Sequence, residues 1–252
     1  MIKIKLKDGT IMECENGVTV LGVAEAISSG LARNACAGKL NGKMTDLRTV
    51  LNEDCELEIL TFQDKEGKWA FRHTAAHILA QAVKRLYPEV KLAIGPAIED
   101  AFYYDFDTDK HFTEDDFTKI EAEMKKIVKE KLPIECFELP KDEAIKLMEV
   151  ADEPYKIELI KELPEGERIT FYKQGEFVDL CAGPHLMNTK QVEAFKILQS
   201  AGAYWKGNEK NKMLARLYAT AFTKKADLNA HLEALEEAKK RDHNKLGREL
   251  KI

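Results

Sequence analysis

The 252-residue chain has no apolar run of some 18 residues, and its N-terminus alternates Ile with Lys where a signal peptide would carry an apolar core. Neither a membrane-spanning helix nor a secretory leader is expected, and the chain reads as a soluble cytoplasmic protein. It lacks any Cys-x-x-Cys pair. Cys14, Cys36, Cys55, Cys136 and Cys181 are odd in number and widely spread, which argues against a disulfide framework. It also lacks the positive excess of a nucleic-acid-coating protein, with 39 Lys and Arg against 44 Asp and Glu, so any nucleic-acid contact has to be local. What it does have is length and 44% hydrophobic residues, enough for one large or two ordinary domains, with two favoured by usual domain size.

Ile2, Ile4 and Leu6 alternate with lysines, Asp8-Gly9 offers a tight turn, and Thr10 to Cys14 follows as the second arm of a hairpin. Thr19 is placed to cap a short helix with Val20, Val23, Ala24 and Ile27 on one face, ended by Gly30. Asn41-Gly42 marks a second hairpin between Cys36–Leu40 and Lys43–Leu47, and Cys55 to Leu60 alternates as a final strand. The order and size of this module resemble the TGS domain, a ubiquitin-like β-grasp unit found at the N-terminus of threonyl-tRNA synthetases and in some regulatory GTPases.

The polar segment 63–68 predicts a domain boundary. Beyond it, Trp69 to Tyr87 shows helical periodicity up to Pro88. A Gly95-Pro96 turn follows, then an aromatic strand at 102–106 and a helix from Thr113 with acidic residues early and lysines late, as the helix dipole favours. A strand at 134–139, a helix at 142–150 and strands at 169–172 and 176–180 complete the pattern. Between 190 and 225, eight Lys or Arg face two Glu, beside Tyr204-Trp205, which suits a phosphate backbone and a stacked base or, equally, a solvated face. From Asp227 to Ile252 the chain reads as one long helix leading toward something further.

Two spaced pairs carry the chemistry. His73 and His77 lie four apart on a helix and so share a face; Cys181 and His185 flank Gly183-Pro184 in a non-helical stretch. Together they offer four ligands of the kinds zinc prefers. They equally form a metal-free catalytic cluster or ordinary core residues, and spacing does not choose among these. Nothing near Cys181 in sequence lowers its pKa, so a thiolate nucleophile is not expected.

Arg72-His73-Thr74-Ala75-Ala76-His77, Ala93-Ile94-Gly95-Pro96, Phe102-Tyr103-Tyr104-Asp105, Asp179 through His185, Ala201-Gly202-Ala203-Tyr204-Trp205 and Lys240-Arg241-Asp242-His243 resemble, in order and spacing, the N-terminal half of bacterial-type threonyl-tRNA synthetases. The resemblance implies an α+β protein: a β-grasp domain at 1–62, an editing domain of the threonyl/alanyl type at 63–225, and a linker helix at 226–252 toward an absent catalytic domain. It implies hydrolysis of mischarged Ser-tRNA(Thr), sparing Thr-tRNA(Thr). In that reading His73 is the general base or water-positioning group and Lys156 stabilises charge or protonates the leaving ribose hydroxyl. Asp179 would bind the seryl ammonium, Tyr104 would contact the terminal adenosine or the amino acid, and His77, Cys181 and His185 would line the pocket.

The family pattern implies no metal for editing, with zinc on His73, His77, Cys181 and His185 as the alternative, because alanyl relatives hold zinc on the equivalent set. ATP, Mg and a zinc ion would belong to the absent catalytic domain. The implied partner is the acceptor end of tRNA(Thr), with no membrane, and the chain is expected to be a monomer although the parent would be a homodimer. A zinc-dependent Ser/Ala-tRNA deacylase and a non-catalytic tRNA-binding regulatory module remain the competing readings.

Overall fold

The computed structural model describes residues 1–249, with side chains described as far as Arg241. Of the helix expected at 226–252, residues 250–252 lie outside the described residues, as do the side chains of Asp242, His243 and Leu246.

The first domain is built on strands β1 (Ile2–Leu6), β2 (Ile11–Cys14) and β3 (Val18–Thr19), helices α1 (Val20–Ile27) and α2 (Ser29–Asn34), and strands β4 (Ala35–Leu40), β5 (Lys43–Thr45), β6 (Val50–Leu51) and β7 (Cys55–Thr61). Five of them form a sheet in the order β2-β1-β7-β4-β5, with β1 and β7 parallel at its centre. This is a β-grasp arrangement. Alternation sets the faces: Ile2 and Ile4 are buried while Lys3 and Lys5 are exposed. Thr19 caps α1, accepting from the Gly22 amide. The helix does not run on to Gly30, however; Ser28 ends it and its hydroxyl caps α2, in which Gly30 lies. A serine that satisfies the next helix's free amides stops the first more effectively than the glycine two residues on.

The second part opens with α3 (Lys65–Leu86), which begins inside the segment expected to be a linker. Every residue from Ala70 to Val83 is buried, so this part of α3 is covered on all sides. Strands β8 (Lys91–Leu92) and β9 (Phe102–Asp107), helix α4 (Glu114–Glu130), strand β10 (Ile134–Leu139), helices α5 (Lys141–Val150) and α6 (Pro154–Glu162), strands β11 (Ile169–Gln174), β12 (Phe177–Leu180), β13 (Ala194–Tyr204) and β14 (Met213–Phe222), and helix α7 (Lys225–Glu249) follow. The sheets are β10-β11-β12 and β13-β14-β9-β8. The mixture of helix and sheet is the α+β class expected. A capping box between Thr113 and Asp116 starts α4 where its acidic first turn pointed. One core cluster joins α3 and the four-stranded sheet to Cys36, Ala37 and Leu60 of the first domain, so apolar packing is continuous across the boundary.

Helices α2 and α6, the short strands β3, β6 and β8, and the β13–β14 hairpin have no counterpart in the sequence expectations. Helix α6, which carries Lys156, is announced by Pro154 at its first position, where a missing amide costs nothing. The β13–β14 hairpin lies in the lysine-rich stretch, where Phe195 and Ile197 in one strand and Leu217, Ala219 and Ala221 in the other alternate at strand spacing. The Gly95-Pro96 segment lies against β9, and a Cβ at Gly95 would come 2.1 Å from the ring of fully buried Tyr104. Gly95→Ala is therefore expected to cost about 1–3 kcal/mol in urea unfolding, as overpacked cores do.

Candidate active site

Helix α3 places His73 and His77 one turn apart, with ring centroids 5.4 Å from each other. The loop after β12 brings His185 over both, at 4.3 and 4.1 Å. Cys181 completes the group, its Sγ 3.4 Å from His73 Nε2 and 3.2 Å from His185 Nε2. Strand alternation turns Phe177 and Asp179 inward together. Asp179 Oδ2 accepts from the Tyr104 hydroxyl at 2.6 Å and lies 3.4 Å from His77 Nε2, while Lys156 Nζ sits 2.6 Å from Oδ1. Lys156 also reaches the Tyr104 hydroxyl at 3.2 Å. All seven residues singled out in the sequence thus form one connected cluster drawn from α3, β9, α6, β12 and the loop that follows. Only His73 (8% exposed) and the half-buried Cys181 retain much access to solvent; Tyr104 and His185 have none.

Burial decides most protonation states. It is the chief cause that lowers His73 to about 3 and His77 to about 4, with the His77 charge adding to the effect on His73 and Asp179 opposing it on both. Burial likewise holds His185 well below its ordinary range, helped by its two histidine neighbours, and pushes the Cys181 thiol up to about 12. For Asp179 burial acts upward, but Lys156, His77 and the Tyr104 hydrogen bond outweigh it and the carboxyl stays below its usual value. At neutral pH the site is thus three uncharged imidazoles and a thiol beside a buried ammonium–carboxylate pair.

Thr74 completes the picture; it neighbours His77 three residues on along α3, but a lone threonine carries no spacing motif that singles it out in the sequence. Its hydroxyl donates to the Ala70 carbonyl at 3.0 Å, which leaves its oxygen to accept from Leu186 N–H at 3.0 Å and from His185 Nδ1 at 3.1 Å. His185 is therefore the Nδ1–H tautomer, with its Nε2 lone pair toward Cys181. That arrangement also suits a metal. The ligand atoms of His73, His77, Cys181 and His185 lie within 4.8 Å of one another, the imidazoles are neutral, and His73 Nδ1 is buried without a hydrogen-bond partner among the described residues. The donor set therefore fits zinc.

The basic stretch behaves differently from its sequence. Lys196 pairs with Glu121, Lys206 with Glu158 and Glu162, Lys212 with Asp107, and Arg216 with Asp105, so much of its charge is neutralised by distant segments. Trp205 is buried with its indole N–H on Glu158, unavailable for stacking a base. A groove of about 880 Å³ instead opens at Trp69, whose ring packs 4.5 Å from His73, and is lined further by Met44, Lys68 and Ile98. A second cavity, of about 560 Å³, gathers Lys125, Lys129, Lys131 and Lys190.

Residues 2–61 match the TGS domain family, and residues 169–218, which hold Asp179, Cys181 and His185, match the threonyl and alanyl tRNA synthetase second additional domain. The chain therefore carries one segment similar to a TGS domain and one similar to the synthetase second additional domain. Over all 252 residues it is 65% identical to a threonine–tRNA ligase of Clostridium perfringens, covering 39% of that protein, and 63% identical to one of Acetivibrio thermocellus, covering 40%. A Clostridium botulinum threonine–tRNA ligase is 61% identical over the same length, again covering 40%. The chain thus spans about two-fifths of these relatives and corresponds to their N-terminal region. His73, His77, Tyr104 and Lys156 lie outside the two matched segments, and the tertiary structure brings them to the matched Asp179, Cys181 and His185. No helix among the described residues is long and apolar enough to cross a membrane.

Proposed function

We propose that this chain hydrolyses the aminoacyl ester of Ser-tRNA(Thr) and spares Thr-tRNA(Thr), as the proofreading part of a threonine–tRNA ligase. The observation that carries this reading is the convergence of His73, His77, Cys181 and His185 with the Lys156–Asp179–Tyr104 group in one buried cluster. A second site has a physical reason to exist. Serine differs from threonine by one methyl group, worth about 1–3 kcal/mol of discrimination, which leaves too many seryl errors for a single binding site to exclude.

In the reaction water adds to the ester carbonyl carbon and passes a proton through His73 to bulk water, the tetrahedral intermediate collapses, and the ribose oxygen leaves with a proton from Lys156, which regains one from bulk water. His73 is the most accessible of the three imidazoles and holds the attacking water; its depressed pKa makes it a positioning group before it is a base. Lys156 supplies positive charge to the developing alkoxide and a proton to the leaving oxygen, with Asp179 and Tyr104 fixing its ammonium. Asp179 receives the seryl ammonium by giving up its contact with His77, the longest of those that its two oxygens already make. Tyr104 acts beneath it as a support, its hydroxyl already committed to that carboxylate. Cys181, with its thiol held protonated, shapes the pocket and does not attack. The acceptor end approaches along the groove beside Trp69.

Deacylation of Ser-tRNA(Thr) and Thr-tRNA(Thr) tests the reading. His73→Ala is expected to slow seryl hydrolysis about 10²- to 10⁴-fold, the usual contribution of a positioned acid or base. Equal rates for wild type and variant would overturn it. The donor set favours one second reading, a zinc-dependent form of the same hydrolysis in which the metal, bound by His73, His77, Cys181 and His185, supplies Lewis acidity. Retained activity after chelation decides for the metal-free form, and loss restored by zinc decides for the other.

A further inference from the structure

The Cys181–His185 loop is gripped from behind by the first domain. We propose that Asp46 and Arg48, in the turn after β5, are positioning residues that hold His185 in register with His73 and Cys181, so that the TGS domain completes the editing pocket. The catalytic consequence rests on the hydrolytic reading above; the positioning itself does not.

Arg48 is an inter-domain clasp. Its Nε donates to the Ile134 carbonyl at 3.0 Å, and Nη2 contacts the same oxygen and donates to Leu186 at 2.9 Å. Nη1 donates to the His185 carbonyl at 3.3 Å and to Asp46 Oδ1 at 2.8 Å. Five N–H donors in one rigid plane make this possible, and a lysine ammonium has neither the number nor the spread. Asp46 Oδ2 accepts from the Tyr172 hydroxyl at 2.8 Å and lies 3.4 Å from the His185 amide nitrogen. The Tyr172 ring in turn packs 4.4 Å from the His185 ring. The loop descends onto Tyr172 so closely that a Cβ at Gly183 would meet its hydroxyl at 2.1 Å, at a residue whose φ of +68° already favours glycine.

The clasp is anchored at both ends. Leu47, between Asp46 and Arg48, is buried in the first domain's core, and Met187, just past the loop, packs against that same core. On the opposite side Thr74 holds His185 Nδ1 and the Leu186 amide. His185 is thus fixed from the front by α3 and from the rear by a side-chain pair more than 130 residues away in sequence. Removing the rear support frees the backbone at 185 and 186 while leaving every residue of the pocket itself in the chain.

The test uses the full chain, labelled with ¹⁵N-histidine, as wild type, Arg48→Met, Arg48→Lys and Tyr172→Phe. Long-range ¹H–¹⁵N spectra are expected to show His185 as a single Nδ1–H tautomer in wild type and as an averaged tautomer mixture in Arg48→Met. The kcat for Ser-tRNA(Thr) should fall at least tenfold in that variant with KM within about twofold, and Arg48→Lys should recover little. Ile4→Ala, which weakens the first domain's core away from this contact, should lower stability without moving the His185 signals. Tyr172→Phe, which deletes one hydroxyl, shows the same shift in smaller measure and serves if Arg48→Met does not fold. Wild-type His185 signals and wild-type kcat in a folded Arg48→Met or Tyr172→Phe would overturn the proposal. If wild type itself leaves Ser-tRNA(Thr) intact, the hydrolytic reading fails, and the His185 spectra still decide the clasp.

Discussion

Lys156→Met is expected to destabilise the chain by about 3–5 kcal/mol, the usual effect of stranding one charge of a buried pair, and to abolish hydrolysis. Lys156 and Asp179 are 3% and 2% exposed and 2.6 Å apart, so neither finds water when its partner is lost. The sign follows from Asp179. Its folded pKa lies below the ordinary 3.8, so its contribution to stability is present above that value and is lost as pH falls through the lower folded one. Without Lys156 the largest lowering influence is gone and burial drives the folded carboxyl above its ordinary value, so the variant is most destabilised at neutral pH and its deficit shrinks as pH falls toward the raised folded value. Urea unfolding at pH 5 and 7 measures this. Adding Asp179→Asn to Lys156→Met should restore much of the stability and none of the activity, which separates the structural cost of the pair from its chemistry. Wild-type stability in Lys156→Met would show that the pair is not buried in solution.

Acidification is the second large effect. His73, His77 and His185 have folded pKa values depressed by burial, to about 3 for His73 and about 4 for His77. Below the ordinary 6.5 the unfolded chain binds protons that the folded one refuses, so stability falls as pH drops from 6.5 toward those folded values. This is opposite in sign to a histidine that gains an acidic partner. At roughly 1.4 kcal/mol per pH unit for each unmatched proton, the three imidazoles together remove on the order of 5 kcal/mol between pH 7 and pH 5. Unfolding free energies at pH 7, 6 and 5 should show the slope, and His77→Gln should reduce it by about a third. A flat profile over that range would mean that the imidazoles are solvated or already protonated in the fold.

Both effects arise from residues whose types were visible in the chain but whose surroundings were not. The spacing of His73 and His77 is a property of one helix, and the inward turn of Asp179 a property of one strand, so each could be read locally. The meeting of Lys156 with Asp179 could not, because α6 itself went unread and the two sides of the pair come from separate elements. Tyr104 shows the same limit in reverse: an aromatic strand residue offered as a contact to substrate proves to be fully buried, its hydroxyl taken by Asp179. The basic, aromatic stretch looked open to nucleic acid because its acidic partners, Asp105, Asp107, Glu121 and Glu158, lie 47 to 111 residues away in the chain.

By itself the sequence determined the α+β class, the hairpins of the first domain, the capped starts of α1 and α4, and the two spaced pairs of His and Cys, because periodicity, turn chemistry and capping act within a few residues of backbone. Tertiary structure alone decided that the pairs share one dry pocket, that three imidazoles stay neutral there, that the lysine-rich hairpin is largely neutralised, and that Arg48 reaches out of the first domain to hold His185. Each of these depends on burial and on partners brought together across long stretches of chain, and both come into being only when the core closes.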